Sequence, residues 1–265
     1  MSKTDPIYDG FLPWVGRAFG LDAALLRIGV SLSRGRLLNL SHQALADDPI
    51  DRSKPTIVVT HGWNPACLLV RYVMMQNYAA AICQRLGDRC NVLGWDWNSA
   101  TLHGFTRRSN SGNANRRGRH LADALIRVNI DRANTQLIGF SFGANLVASA
   151  AHALWEDSHE PIAQLTLLDP LEDQHETIFG QFRAMETARI VENYWSGKPS
   201  GLGAIADYED LYQQEVPVRN PWLAKILVTF SAHLRVPVWY YRTISDPSSD
   251  TGFNNSFVLE TIRDA

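Results

Sequence analysis

Residues 139–143, Gly139-Phe140-Ser141-Phe142-Gly143, set a serine between two glycines with one residue on either side. A serine hydroxyl attacks a carbonyl only when it is held beside a base, and a tight turn from a strand into a helix holds it that way. TQLIGF precedes Ser141 as a short apolar run, and ANLVASAAHALW follows with helical spacing. The context therefore fits as well as the pattern. Such a turn also aims unpaired N–H groups at the negative charge that develops on the attacked oxygen. The N–H of Phe142, directly after the nucleophile, is one expected donor. The second belongs on another loop. Thr60-His61-Gly62-Trp63 follows a β-branched run, its glycine admits close backbone approach, and the Trp63 N–H is the candidate. His61 reads as orienting this loop by hydrogen bonding, with general base as the competing role.

A base and an acid must come from elsewhere in the chain. Asp169 ends the apolar run AQLTLL and stands before Pro170, at a carboxyl strand end, where the sites of open α/β sheets gather. Glu192, at the next strand end, is the second candidate acid. His233 precedes Leu234 and the aromatics Trp239, Tyr240 and Tyr241; it is the candidate base, read as standing on a loop that feeds a helix docked on the sheet. His42, His152, His159 and His175 form neither an HExxH pattern nor a facing pair, so no metal is implied. The chemistry asks for no cofactor. Cys67 lacks a helix-start or cationic neighbour and reads as inert.

These residues need elements to position them. Short β-branched runs at 56–60, 91–97, 135–140, 163–168 and 188–192 alternate with helical patterns at 69–86, 113–128 and 144–155. Near-continuous apolar strands separated by helices predict an α/β domain, with a mostly parallel sheet covered on both faces. Residues 51–265 are expected to form this single catalytic domain. Residues 1–50 stand outside the rhythm and predict an N-terminal helical extension packed on the domain, whose aromatics Phe11, Trp14 and Phe19 leave peripheral membrane contact as the alternative. Residues 196–220, rich in Gly, Pro and acids, read as an excursion from the sheet.

Taken together, VVTHGWN, NVLGWDWNSA, QLIGFSFGANLVASA, LTLLDP, ARIVENYWSG and SAHLRVPVWYY resemble, in order, the blocks of the pancreatic-lipase-like family of α/β-hydrolases. The resemblance covers roughly residues 56–245. It implies an α/β-hydrolase fold and a lipase or esterase activity, with a triad of Ser141, Asp169 and His233 and oxyanion donors at Trp63 and Phe142. The order serine, acid, histidine is the one this fold's topology uses. The chain departs from the animal enzymes in lacking their cysteine framework, in leaving only about 60 residues between Asp169 and His233, and in flanking the serine with two phenylalanines. A long disulfide-closed lid is not expected.

Composition narrows the alternatives. With 45% hydrophobic and 20% charged residues the chain is globular rather than disordered. Three cysteines without a CxxC pair exclude a disulfide scaffold and a zinc ribbon. No early apolar run reaches the length of a secretory leader, and the expected setting is reducing and cytoplasmic. Residues 1–155 hold 17 Lys and Arg against 10 Asp and Glu, and residues 156–265 hold 8 against 17. The basic half clusters at Arg107, Arg108, Arg116, Arg117 and Arg119 without interleaved aromatics, which reads as a solvated helix face and not as a nucleic-acid surface. The expected partner is a small-molecule or lipid ester. A thioesterase or amidase with the same triad, and a non-catalytic lipid-binding member of the fold, are the competing readings. The acidic segment 196–220 makes a poor lipid-facing lid, so short to medium acyl esters are expected.

Overall fold

The computed structural model describes residues 35–44, 48–62, 70–97, 107–171, 175–197, 208, 211–216 and 228–264. Within them the chain builds strands β1 (Arg36–Asn39), β2 (Thr56–Thr60), β3 (Asn91–Asp96), β4 (Thr135–Phe140), β5 (Ile162–Leu168), β6 (Ala188–Ser196) and β7 (Tyr212–Val216). The helices that connect or follow them are α1 (Val70–Leu86), α2 (Arg107–Arg127), α3 (Phe142–Ser158), α4 (Val228–Ser245) and α5 (Phe257–Asp264). All seven strands join one sheet in the order β1-β3-β2-β4-β5-β6-β7. Only β1 runs antiparallel, against β3, and every other pairing is parallel.

The strand sequences explain this placement. Every residue of β2, β3, β4 and β5 is buried, as a parallel sheet covered on both faces requires. One apolar layer joins the sheet to α2 and α3 through Leu121, Leu125, Leu146 and Val147. The other joins it to α1, α4 and α5 through Met75, Ile82, Val236, Tyr240 and Val258. The chain order reverses at β2, since β3 lies on one side of it and β4 on the other. A crevice forms outside the carboxyl ends of strands at such a reversal, and both the serine turn after β4 and the His61-Gly62 step after β2 open there.

Three expectations are corrected. The segment expected to leave the sheet, 196–220, contains β7, which pairs in parallel with β6 from Tyr212 to Val216; its polar sequence fits an edge strand, where one side needs no apolar cover. Within the expected helical extension 1–50, Arg36–Asn39 is a strand, and the aromatics Phe11, Trp14 and Phe19 lie outside the described residues. β6 runs on to Ser196, four residues past the predicted end, because Asn193, Tyr194 and Ser196 remain buried although the apolar run stops at Val191.

The helices α2 and α3 approach each other at Gly118, where a Cβ would stand 2.4 Å from the Leu146 carbonyl oxygen and 2.5 Å from the Ser149 Cβ. Six residues earlier, a Cβ at Gly112 would meet nothing within 4 Å. Gly118→Ala is therefore expected to lower the unfolding free energy by about 1–3 kcal/mol through overpacking. Gly112→Ala should raise it by up to about 1 kcal/mol through helix propensity alone. Urea titrations of the two variants check the contrast.

Candidate functional site

Ser141 sits between β4 and α3 with φ 55° and ψ −125°, a backbone state that L residues avoid and that surroundings must enforce. The surroundings are close. A Cβ on Gly139 would lie 2.2 Å from the Gly143 carbonyl oxygen, and one on Gly62 would lie 2.7 Å from the Ser141 Cβ, so only glycine lets these strand ends and the helix start meet. The Ser141 N–H donates to the Leu168 carbonyl at 2.9 Å. Although Ser141 caps α3, its hydroxyl makes no capping hydrogen bond and is left for other chemistry. Phe142 begins the helix, so its N–H is among the four that have no partner within the helix.

Asp169 follows β5 with φ 46° and is wholly buried. Its N–H donates to the Tyr194 carbonyl at 2.7 Å. Its carboxylate accepts from the Ser196 N–H at 2.7 Å, from the Ser196 hydroxyl at 2.8 Å and from His233 Nδ1 at 2.6 Å. The Nδ1 bond orients the imidazole and leaves Nε2 as the nitrogen available for proton transfer. The His233 ring also packs on Phe140, with ring centroids 4.5 Å apart, which places the imidazole beside the residue preceding Ser141. His233 itself lies within α4 and not, as expected, on a loop that feeds this helix. Pro237, four residues on, lacks the N–H that would bond the His233 carbonyl, so the helix passes His233 with one fewer backbone bond.

The other candidates separate cleanly. Glu192 does not meet His233: its oxygens accept from the Thr166 hydroxyl at 2.8 Å and the Tyr194 hydroxyl at 2.9 Å, deep beneath the sheet end. His61 is 1% exposed and hydrogen-bonds its own loop, as its reading as an orienting residue expects. Trp63 and Cys67 lie outside the described residues. Ser196 went unnoticed in the sequence; its signal is the position, since the strand next to β5 must end beside Asp169 if the two strands are in register, and Leu168 does pair with Tyr194. Among the described residues no group of three or more His, Cys, Asp or Glu could hold a metal ion, and no helix is long and apolar enough to cross a membrane.

This arrangement, a seven-stranded and mostly parallel sheet covered on both faces with a strained serine on the turn from β4 into α3, is the α/β-hydrolase fold. No family model and no curated protein matches the chain in sequence. Solved structures similar to it include a Bacillus cereus carboxylesterase, 13% identical, which aligns over 84% of this chain and 99% of its own with a TM-score of 0.42. An α/β serine hydrolase without a lid from Xanthomonas campestris is 15% identical over 79% and 91%, with a TM-score of 0.46. A hyperthermophilic esterase from the archaeon Pyrobaculum calidifontis is 12% identical over 92% and 91%, with a TM-score of 0.38.

Burial pushes the Glu192 carboxyl up from 4.5 to about 7, against the hydrogen bonds from Thr166, Tyr194 and Gln164 that pull it down. Between those values the folded chain keeps a proton that the unfolded chain has released, so stability falls as pH rises through this window and levels off above it. Glu192→Gln cannot ionise and should gain on the wild type by on the order of 2–3 kcal/mol across the same window. Urea unfolding at pH values below, within and above the window reads the difference.

Proposed function

We propose that the protein is a serine hydrolase of carboxylic esters, with Ser141 as nucleophile, His233 as general base and then acid, and Asp169 as the residue that fixes the imidazole. The observation that carries this reading is the His233 Nδ1–Asp169 bond of 2.6 Å on a ring packed against Phe140, next in the chain to a serine in a strained strand-to-helix turn. The resemblance to pancreatic-lipase-like enzymes supports the same three residues.

In the proposed cycle the Ser141 hydroxyl loses its proton to His233 Nε2 as its oxygen bonds to the ester carbonyl carbon. The carbonyl oxygen becomes an alkoxide, held by the Phe142 N–H and by the N–H expected at position 63. His233 is now doubly protonated, and the buried Asp169 carboxylate stabilises that charge without taking the proton. Collapse of the intermediate breaks the ester C–O bond, and Nε2 hands its proton to the departing alkoxide. Water repeats the sequence on the acyl-enzyme, releasing the acid and restoring Ser141.

Ser141→Ala should lower turnover by about 10⁶-fold, and Asp169→Asn by on the order of 10⁴-fold, since the amide favours the wrong tautomer of His233. Glu192→Gln, away from the imidazole, should leave turnover within about threefold of wild type. A fluorophosphonate probe should label Ser141 alone; label on another serine would overturn the assignment. Rates on matched p-nitrophenyl esters, thioesters and anilides of rising acyl length select the substrate, with short to medium esters expected to be fastest. Faster thioester or anilide cleavage would move the reading to a thioesterase or amidase.

A further inference from the structure

Phe140 is the last residue of β4, and the alternation of a strand decides which layer its ring joins. Successive strand residues face opposite ways. A Cβ on Gly139 would meet the Gly143 carbonyl and the Val147 side chain of α3, so Phe140 faces the layer covered by α4, where it belongs to one cluster with Ile138, Leu168 and Val236. It is 6% exposed. The ring borders the Gly62 step, where a Cβ would stand 3.3 Å from its Cδ1. It also carries the imidazole of His233, with centroids 4.5 Å apart and planes 35° from parallel.

So short a separation, with planes far from perpendicular, puts the imidazole over the benzene face and not against its edge. That face is the negative side of the ring quadrupole, and a cation within about 6 Å of the centroid is attracted to it. The Nδ1 edge of the same imidazole is bound to Asp169 Oδ2 at 2.6 Å. His233 therefore has a carboxylate at one edge and a π face against its plane, and both favour the charged ring over the neutral one. In the proposed cycle that charge exists only after Ser141 has given up its proton. An interaction stronger in the transition state than in the resting enzyme raises kcat.

We propose that Phe140 is a positioning residue for the general base: its π face holds the His233 imidazole against Asp169 and favours the imidazolium that forms when Nε2 takes the serine proton. Phe140 acts through His233 and not on the ester itself. The proposal rests on the hydrolase reading and adds to it a residue outside the triad and the oxyanion donors. In the sequence Phe140 is only the variable residue that precedes Ser141 in GxSxG; the docking of α4 on the end of β4 gives it this contact.

The test replaces Phe140 in the full chain with 4-fluoro-, 3,5-difluoro- and 3,4,5-trifluorophenylalanine. Each fluorine draws charge from the π face while the ring keeps nearly the same size, so packing is held while the electrostatics change. Phe140→Leu, apolar but without a π face, is the fourth variant. Rates on p-nitrophenyl butyrate are expressed per site labelled to completion by fluorophosphonate, so that misfolded protein is not counted. Across the fluorine series kcat should fall stepwise with fluorine number, by about 3- to 30-fold in all, with KM within about threefold of wild type. Phe140→Leu should fall at least as far in kcat as the trifluoro protein. A fluorine series that stays within about threefold or shows no order in fluorine number, a loss carried by KM, or a Phe140→Leu variant with wild-type kcat overturns this inference alone. A wild type that cleaves no ester and takes no label at Ser141 overturns the hydrolase reading, and this inference with it.

Discussion

The Asp169 carboxylate is wholly out of solvent, and an ionised group there is tolerated only when donors converge on it. Three do. Two come from Ser196 at the end of β6 and one from His233 on α4, while the backbone N–H of Asp169 is tied to Tyr194 on the same strand. Satisfying this one charge thus sets how far β6 must run, where α4 must dock, and which edge of the imidazole faces inward. Because the donors belong to two different elements, neither can shift without leaving an unpaired charge in the interior. The same bonds that bury the carboxylate orient the His233 imidazole.

The serine turn works under a related constraint. Ser141 is held in a backbone state worth about 1–3 kcal/mol of strain, and the holding comes from the close approach of β4, the Gly62 step and the start of α3. Every residue of α3 from Phe142 to Ala151 is buried, and this largely apolar anchorage offsets the strain. Stability elsewhere is what keeps the strained serine turn in place.

Two buried carboxylates on neighbouring strands meet different fates. Asp169 receives three donors, one of them a histidine that gains a proton during the proposed reaction. Glu192 receives hydroxyl donors from Thr166 and Tyr194 and, among the described residues, no cation, and burial raises its affinity for a proton. Through Thr166, Gln136 and Ser256 its network reaches from β6 across β5 and β4 to the start of α5. Tyr194 belongs to both systems: its carbonyl binds Asp169, its hydroxyl binds Glu192, and its ring packs on Trp239 and Tyr240 of α4. The helix that carries His233 therefore packs against a strand residue of the network that Glu192 closes.

What the sequence determined by itself was local. Alternating apolar runs and helical patterns specified β2 to β5, α1, α2 and α3, because buried parallel strands and amphipathic helices leave their periods in the residues. GxSxG between a strand and a helix specified the turn, because glycine is required where backbones touch. The edges were not legible. β1 and β7 have mixed polarity, and their pairing partners, not their own residues, make them strands. The helical state of His233 was hidden by Pro237, since a proline's local cost is outweighed by the burial of Val236, Tyr240 and Ile244 on the same helix. The position of Ser196 was not legible, because nothing in its neighbours says that it ends beside Asp169. That fact follows from strand order and register, which bring together residues 27 positions apart in the chain, and only the assembled sheet supplies it.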